Sequence, residues 1–330
     1  MVARPRRGLL LMVVATAAFV GMSVCVKLLR EAGLSTAEVI FFRTGPGLVW
    51  LWYELRVRRR LDLRPHRRDL VYARSLFGIG AMATSFFAVQ TLSLVQHNVL
   101  GLLQPVFVAL LAPLLLRERL HMIVFLALLL AGGGALMVIA PGAALTAVPL
   151  VPASLGVASA LLSALAHMMI RASSATERPE IVVFHFAVHA TLFGLLWSVA
   201  AGELGRLFAL VSLATLLPLA GLAALGVLGQ LAMTAAYGHA PATLVAIVAY
   251  VGIPMSLLAD LLLWDARAGL PAVLGALLMV VAGVLLARSP RPPTTLAPAG
   301  PSEPSVPGMP VMPVIPVMPV MPTAPQPGQP

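Results

Sequence analysis

Apolar and polar positions alternate along this chain on the scale of whole helices. Almost uninterrupted apolar runs occupy residues 8–28, 37–55, 70–92, 95–116, 120–140, 153–172, 181–201, 213–236, 242–263 and 269–287. Each is close to the roughly 20 residues that cross a bilayer core at about 1.5 Å rise per residue. The separators carry charge or helix breakers: Arg56 to Asp69, the stretch holding Pro141, Pro149 and Pro152, Ser173 to Pro179, Gly202 to Arg206, and Ala240-Pro241. The pattern predicts an all-α polytopic membrane protein of ten transmembrane helices, with several connections so short that neighbours must be antiparallel.

The second half repeats the first. Phe77 to Pro141 is echoed at Leu225 to Pro290. Glu38 to Arg43 aligns with Glu180 to His185 at an offset of 142, and Glu118 aligns with Asp265 at 147. Each copy holds five runs, and because five is odd the copies are expected to be inverted. The predicted organisation is an N-terminus over 1–7, a first repeat over 8–140, a linker over 141–152, a second repeat over 153–288 and a tail over 289–330. Inverted repeats around a midplane site are an architecture of secondary transporters.

Composition agrees: 60% of residues are hydrophobic, 10% are charged and mean hydropathy is +0.97, too apolar for a soluble globule of 330 residues. The single cysteine, Cys25, excludes a disulfide framework and a multi-cysteine metal site. Arg4, Arg6 and Arg7 before the first apolar run resemble a signal peptide start, but the run continues to about Lys27 and is expected to stay as a helix. The formal net charge of +10 is unevenly spread. With the N-terminus in the cytoplasm, Arg56, Arg58, Arg59, Arg60, Arg64, Arg67, Arg68, Arg117, Arg119, Arg171, Arg178, Arg288 and Arg291 all fall inside, and only Lys27, Arg30, Arg206 and Arg267 fall outside. This asymmetry predicts a bacterial inner-membrane protein with both termini cytoplasmic, its basic loops facing anionic lipid headgroups. The basic loop lacks the interleaved aromatics of a nucleic-acid surface, so no nucleic acid is expected as a partner. From Pro290 onward proline recurs about every third residue, which favours extended polyproline II and predicts a disordered Pro-, Met- and Val-rich tail.

Several landmarks resemble a known family. Gln104-Pro105, then Leu116-Arg117-Glu118-Arg119-Leu120 and a glycine-rich helix stand in the first half. Ala235-Ala236-Tyr237, Ala240-Pro241-Ala242, Tyr250 and Trp264-Asp265 stand in the second. Over about residues 7–288 the chain resembles the EamA-type branch of the drug/metabolite transporter superfamily. The resemblance implies ten helices in two five-helix repeats, no enzymatic activity, no cofactor, and small-molecule substrates such as amino acids, vitamins, nucleoside-like compounds or drugs, with export common. It leaves a homo-oligomer open.

Polar groups inside the runs are the candidates for a transport route, because a charged residue at the centre of a membrane helix costs about 2.5–3.5 kcal/mol. Arg43 is expected either to face a cavity or to anchor structurally, with Asp260 as a charge partner or coupling group. His97 and Gln104 fall on one face of the fourth helix; Gln230, Thr234 and Tyr237 form a similar stripe on the eighth. With Gln90 and Tyr250 these are the substrate-cavity candidates; interhelical hydrogen bonding is the alternative use for them. Pro105 and Pro254, at similar places in the fourth and ninth helices, are hinge candidates; Pro46 also interrupts a run. His185 and His189 lie four apart, but two imidazoles fall short of a zinc set, so hydrogen-bonded histidines and no metal are expected. His167 and Arg171 are expected at the membrane interface, and Glu118 as an anchor or a partner of its neighbouring arginines.

The chain has neither a phosphate-binding G-x-x-x-x-G-K-[ST] loop, nor H-E-x-x-H, nor G-x-S-x-G. The expected function is therefore secondary transport of a small organic metabolite by alternating access. The alternative is a membrane-embedded scaffold or receptor acting through the proline-rich tail.

Overall fold

The computed structural model describes residues 5–89, 100–101, 103–118, 122–139, 150–203, 212–264 and 269–288, and among them every regular element is helical. The elements are α1 (Pro5–Glu31), α2 (Thr36–Trp52), α3 (Arg68–Val89), α4 (Leu103–Leu115), α5 (Met122–Ile139), α6 (Leu150–Ser173), α7 (Pro179–Ala200), α8 (Leu213–His239), α9 (Ala242–Val248), α10 (Gly252–Trp264) and α11 (Leu270–Arg288). Each of the ten apolar runs overlaps at least one of them. Among the described residues five helices are long and apolar enough to cross a membrane: Pro5–Glu31, Leu150–Ser173, Pro179–Ala200, Ala214–His239 and Ala242–Leu263. Leu103–Leu115, Met122–Met137 and Leu270–Leu285 are shorter apolar helices. The protein is a multi-pass membrane protein, and its outward leucines and methionines, among them Leu114, Met122, Leu217 and Leu262, suit lipid.

Local chemistry sets the helix ends. Ser35 opens α2 with a capping box: its hydroxyl accepts the Glu38 N–H, and the Glu38 carboxylate accepts the Ser35 N–H at 2.6 Å. Ser212 and Thr215 do the same for α8, and Pro179 occupies the first turn of α7. Beyond Trp52 the second helix widens into a π-turn over Tyr53–Arg58, where Arg58 and Arg59 hold the Glu54 carboxylate at 3.1 and 2.8 Å. The ninth run is broken by a 3-10 turn at Ala249–Val251, just before Pro254. Proline has no N–H to offer the carbonyl of Tyr250, so the α geometry gives way there. Pro105 and Pro113 lie in α4, and Pro46 lies inside an unbroken α2.

Helix pairing follows one rule in both halves. α1 packs most extensively on α8, and α3 on α6; α2 packs on α7, and α5 on α11. Exchanging first-half helices for their second-half counterparts returns the same list. The contacts are close because small residues face each other. A Cβ built on Gly134 of α5 would lie 2.5 Å from the Gly275 carbonyl of α11, so only glycine admits that approach.

Polar contacts tie the loops at each end. At one end Ser35, between α1 and α2, donates to the Glu203 carboxylate after α7 at 2.6 Å. At the other, the Arg67 N–H before α3 donates at 2.6 Å to Glu177, which lies between α6 and α7. Glu118, after α4, also reaches that second end, at the tip of α6 and the turn joining α8 to α9. The second end carries the arginine-rich loop.

Candidate functional site

Two buried polar centres lie between helices of both halves, with a charged seal beside them. In the first centre Gln104 of α4 and His167 of α6 meet at 2.9 Å, Nε2 to Nδ1, and the His167 ring stacks on Tyr237 of α8 with centroids 5.0 Å apart and planes 23° apart. Tyr237 is fully buried. Three helices are joined by one amide, one imidazole and one phenol. Such groups both pack as apolar surfaces and offer hydrogen bonds to a solute.

The second centre is seven residues along α8, a separation of about 10 Å at helical rise. There Arg74 of α3 donates through Nη2 to the Gln230 carbonyl oxygen at 2.9 Å. Its guanidinium carbon lies 3.6 Å from the centre of the Phe186 ring of α7, a cation–π stack. Arg74 is only 3% exposed. Arg43 of α2 packs on α8 at Gly226, where an added Cβ would come within 3.4 Å of the Arg43 Cγ. Gly226 is one turn along α8 from Gln230, the residue to which Arg74 donates.

The charged group lies at the arginine-rich end. Arg171, one turn beyond His167 on α6, donates through Nε to Glu118 at 3.1 Å and through Nη1 to the Tyr237 carbonyl at 3.0 Å. Glu118 also accepts the Ala242 N–H, at 3.2 and 3.0 Å to its two oxygens, where α9 begins. A carboxylate at a helix N-terminus and a guanidinium on a C-terminal carbonyl each complement the helix dipole. One ion pair therefore joins α4, α6, α8 and α9. The Arg171 and Glu118 side chains are 11% and 14% exposed.

Among the sequence candidates, the structure thus brings together Gln104 and Tyr237 in one centre and Gln230 and Arg43 in the other. Thr234 lies between them on α8, 3% exposed, with its hydroxyl unpartnered among the described residues. It lines a cavity of about 10 Å³ with Ser173, Glu177 and Gly238, room for one water. Tyr250 is buried in the turn between α9 and α10. Gln90 and His97 lie outside the described residues, as do Asp265 and the proline-rich tail; Asp260 lies on α10, with its side chain outside the description.

His167, expected at the interface, is instead drawn into the buried centre, whereas Arg171 lies in the last turn of α6 at the arginine-rich end. Glu118 pairs with Arg171 across helices, and Arg119 lies outside the described residues. The reason is local: Arg117 takes a left-handed φ of 54°, which ends the helical course and turns Glu118 back over the bundle. His185 and His189 are hydrogen-bonded as expected: His185 donates from Nε2 to the Leu63 carbonyl at 2.8 Å, and His189 donates from Nδ1 to the His185 carbonyl at 2.6 Å. No cluster of three potential metal ligands occurs among the described residues. Arg74 was missed in the sequence, although the signal that singled out Arg43, an arginine inside an apolar run, was equally present there.

Residues 6–140 match the EamA-like transporter family. The pseudopaline exporter of Pseudomonas aeruginosa is 31% identical over 291 residues, covering 86% of this chain and 97% of that protein. An uncharacterized transporter of Helicobacter pylori is 26% identical over 283 residues, covering 85% and 94%. A crystal structure of a protein 15% identical in sequence superposes with a TM-score of 0.67 over 84% of this chain and 98% of its own, a likeness of fold alone.

Proposed function

Because this chain belongs to the EamA-like transporter family, we propose that it is a secondary carrier that exports a small organic metabolite across the bacterial inner membrane by alternating access. The observation that carries this reading is the buried polar path along α8, from Gln230 to Tyr237, with the Glu118–Arg171 seal at its end. A membrane protein retains such groups where they contact solute or one another. By the distribution of arginine, the sealed end is cytoplasmic and so are both termini. The conformation is then one closed toward the cytoplasm, and release of the seal would open that side.

Residues 8–140 and 153–288 act as two inverted five-helix repeats. Two observations support this. Helix pairings are preserved when the halves are exchanged. The loop entering α2 meets the end of α7, while the loop entering α7 meets the segment before α3 at the opposite end. Inverted halves that rock about a shared interface expose a midplane site to each side in turn.

Counterflow in proteoliposomes holding the full chain tests the carrier reading, with pseudopaline as the first solute because a relative is named for its export. Metabolite comparison between cells lacking and overproducing the protein extends the test to other cargo. A solute retained by the first and lost to the medium by the second is the expected result; no solute moving in either assay would overturn the reading. Engineered thiols at positions 118 and 265 should label from opposite sides of the membrane. Labelling of both from one side would refute the inverted repeats.

A further inference from the structure

We propose that Arg74 is the anchor for an anionic group of the cargo, a carboxylate, so that this carrier takes organic acids. The inference rests on the carrier reading above and assigns it a substrate class. Arg74 is 3% exposed, yet its Nε and both hydrogens of Nη1 have no acceptor among the described residues. Its one hydrogen bond goes to a neutral amide, Gln230. No described carboxylate lies within ion-pair distance of Arg74 or Arg43, whereas Arg171 and Arg59 have theirs. A guanidinium offers five donors in a planar fork, and three of these point into the protein unused.

The surroundings hold the fork in place instead of neutralising it. Phe186 covers one face of the guanidinium. Gly78, one turn along α3, leaves the space that Nη1 fills, since a Cβ there would be 3.1 Å from that nitrogen. Arg43 adds a second cation on α2, packed on α8 at Gly226, one turn from the Gln230 that Arg74 binds. Two cations that repel each other in a low-dielectric bundle raise the affinity for an anion arriving between them. A carboxylate satisfies the free donors and cancels the repulsion in one step. The same group explains why α3, α7 and α8 meet around a charge that costs stability when the site is empty.

The test uses the purified full chain in detergent at constant ionic strength, read by thermal unfolding. Arg171→Met should melt lower than wild type, because it breaks a pair. Millimolar succinate should raise the wild-type melting temperature, its uncharged analogue succinamide should not, and Arg74→Met should abolish the succinate response, with Arg74→Lys keeping part of it. Inorganic phosphate acting like succinate would broaden the class to oxyanions and still support Arg74 as the anchor. An undiminished succinate response in Arg74→Met, or none in the wild type, would overturn the proposal. Succinate binding through Arg74 without counterflow of any solute would sink the carrier reading and leave the anion site. Counterflow that persists at wild-type rate in Arg74→Met would do the reverse.

Discussion

Glu118→Gln perturbs the seal with little change in shape. The substitution removes the charge opposite Arg171 but keeps an amide oxygen that can still accept the Ala242 N–H. Removing one partner of a fully buried pair costs about 3–5 kcal/mol. The side chains here retain 14% and 11% exposure, and the surviving acceptor recovers part of the loss, so the net cost to the closed form is about 2 kcal/mol. At about 1.4 kcal/mol per tenfold, the balance between closed and open forms moves roughly 30-fold toward open. Thr234, 3% exposed on α8, reports the change. In a Cys25→Ala background, Thr234→Cys is exposed to a membrane-impermeant maleimide from the arginine-rich side of oriented vesicles. Labelling should quicken by up to about 30-fold when Glu118→Gln is added. Arg117→Gln, which removes an exposed neighbour outside the pair, should leave the rate unchanged. Combining Glu118→Gln with Arg171→Gln should cost less than the two separate effects together, as expected for groups that interact directly. An unchanged labelling rate in a Glu118→Gln protein that melts like wild type would refute the seal.

Three further outcomes follow from the packing and the site. Gly134→Leu should destabilise by about 1–3 kcal/mol or more through collision with the Gly275 carbonyl, whereas Gly133→Leu, which meets open space, should melt near wild type; thermal unfolding in detergent compares them. Gln104→Leu leaves the His167 nitrogen without its partner and should cost about 1–3 kcal/mol, while adding His167→Leu should restore much of that stability because both polar groups are then gone. Counterflow should remain low in the double variant if the pair contacts cargo, and wild-type flux there would make the pair structural glue. Ending the chain after Arg288 should leave counterflow intact, and its loss would favour a scaffold acting through the proline-rich tail.

The candidate site was partly legible in the sequence. Gln104, Gln230 and Tyr237 stood out because polar side chains in apolar runs need a reason to be there; the structure gives Gln104 and Gln230 hydrogen-bond partners on other helices and Tyr237 a ring to stack on. Arg74 carried the same signal and was passed over. His167 looked interfacial because Arg171 follows it by one turn, but a long arginine can reach a helix end and seal it while its neighbour points inward. Glu118 stood between two arginines in sequence, and only the left-handed residue before it sends its carboxylate elsewhere.

What the sequence determined by itself was the number and length of the apolar runs, their repetition, and the charge asymmetry of the loops. Those follow from one-dimensional constraints: a backbone in lipid must be helical, and about 20 apolar residues are needed to cross. Tertiary structure decided which side of each helix faces protein. α5 and α11 are apolar all round, so their sequences mark no buried face. Of the adjacent Gly132, Gly133 and Gly134, only the last meets the backbone of α11. The same holds for charge: whether Arg43, Arg74 or Arg171 has a carboxylate opposite depends on rotation and depth of helices far apart in sequence, and no local pattern encodes it.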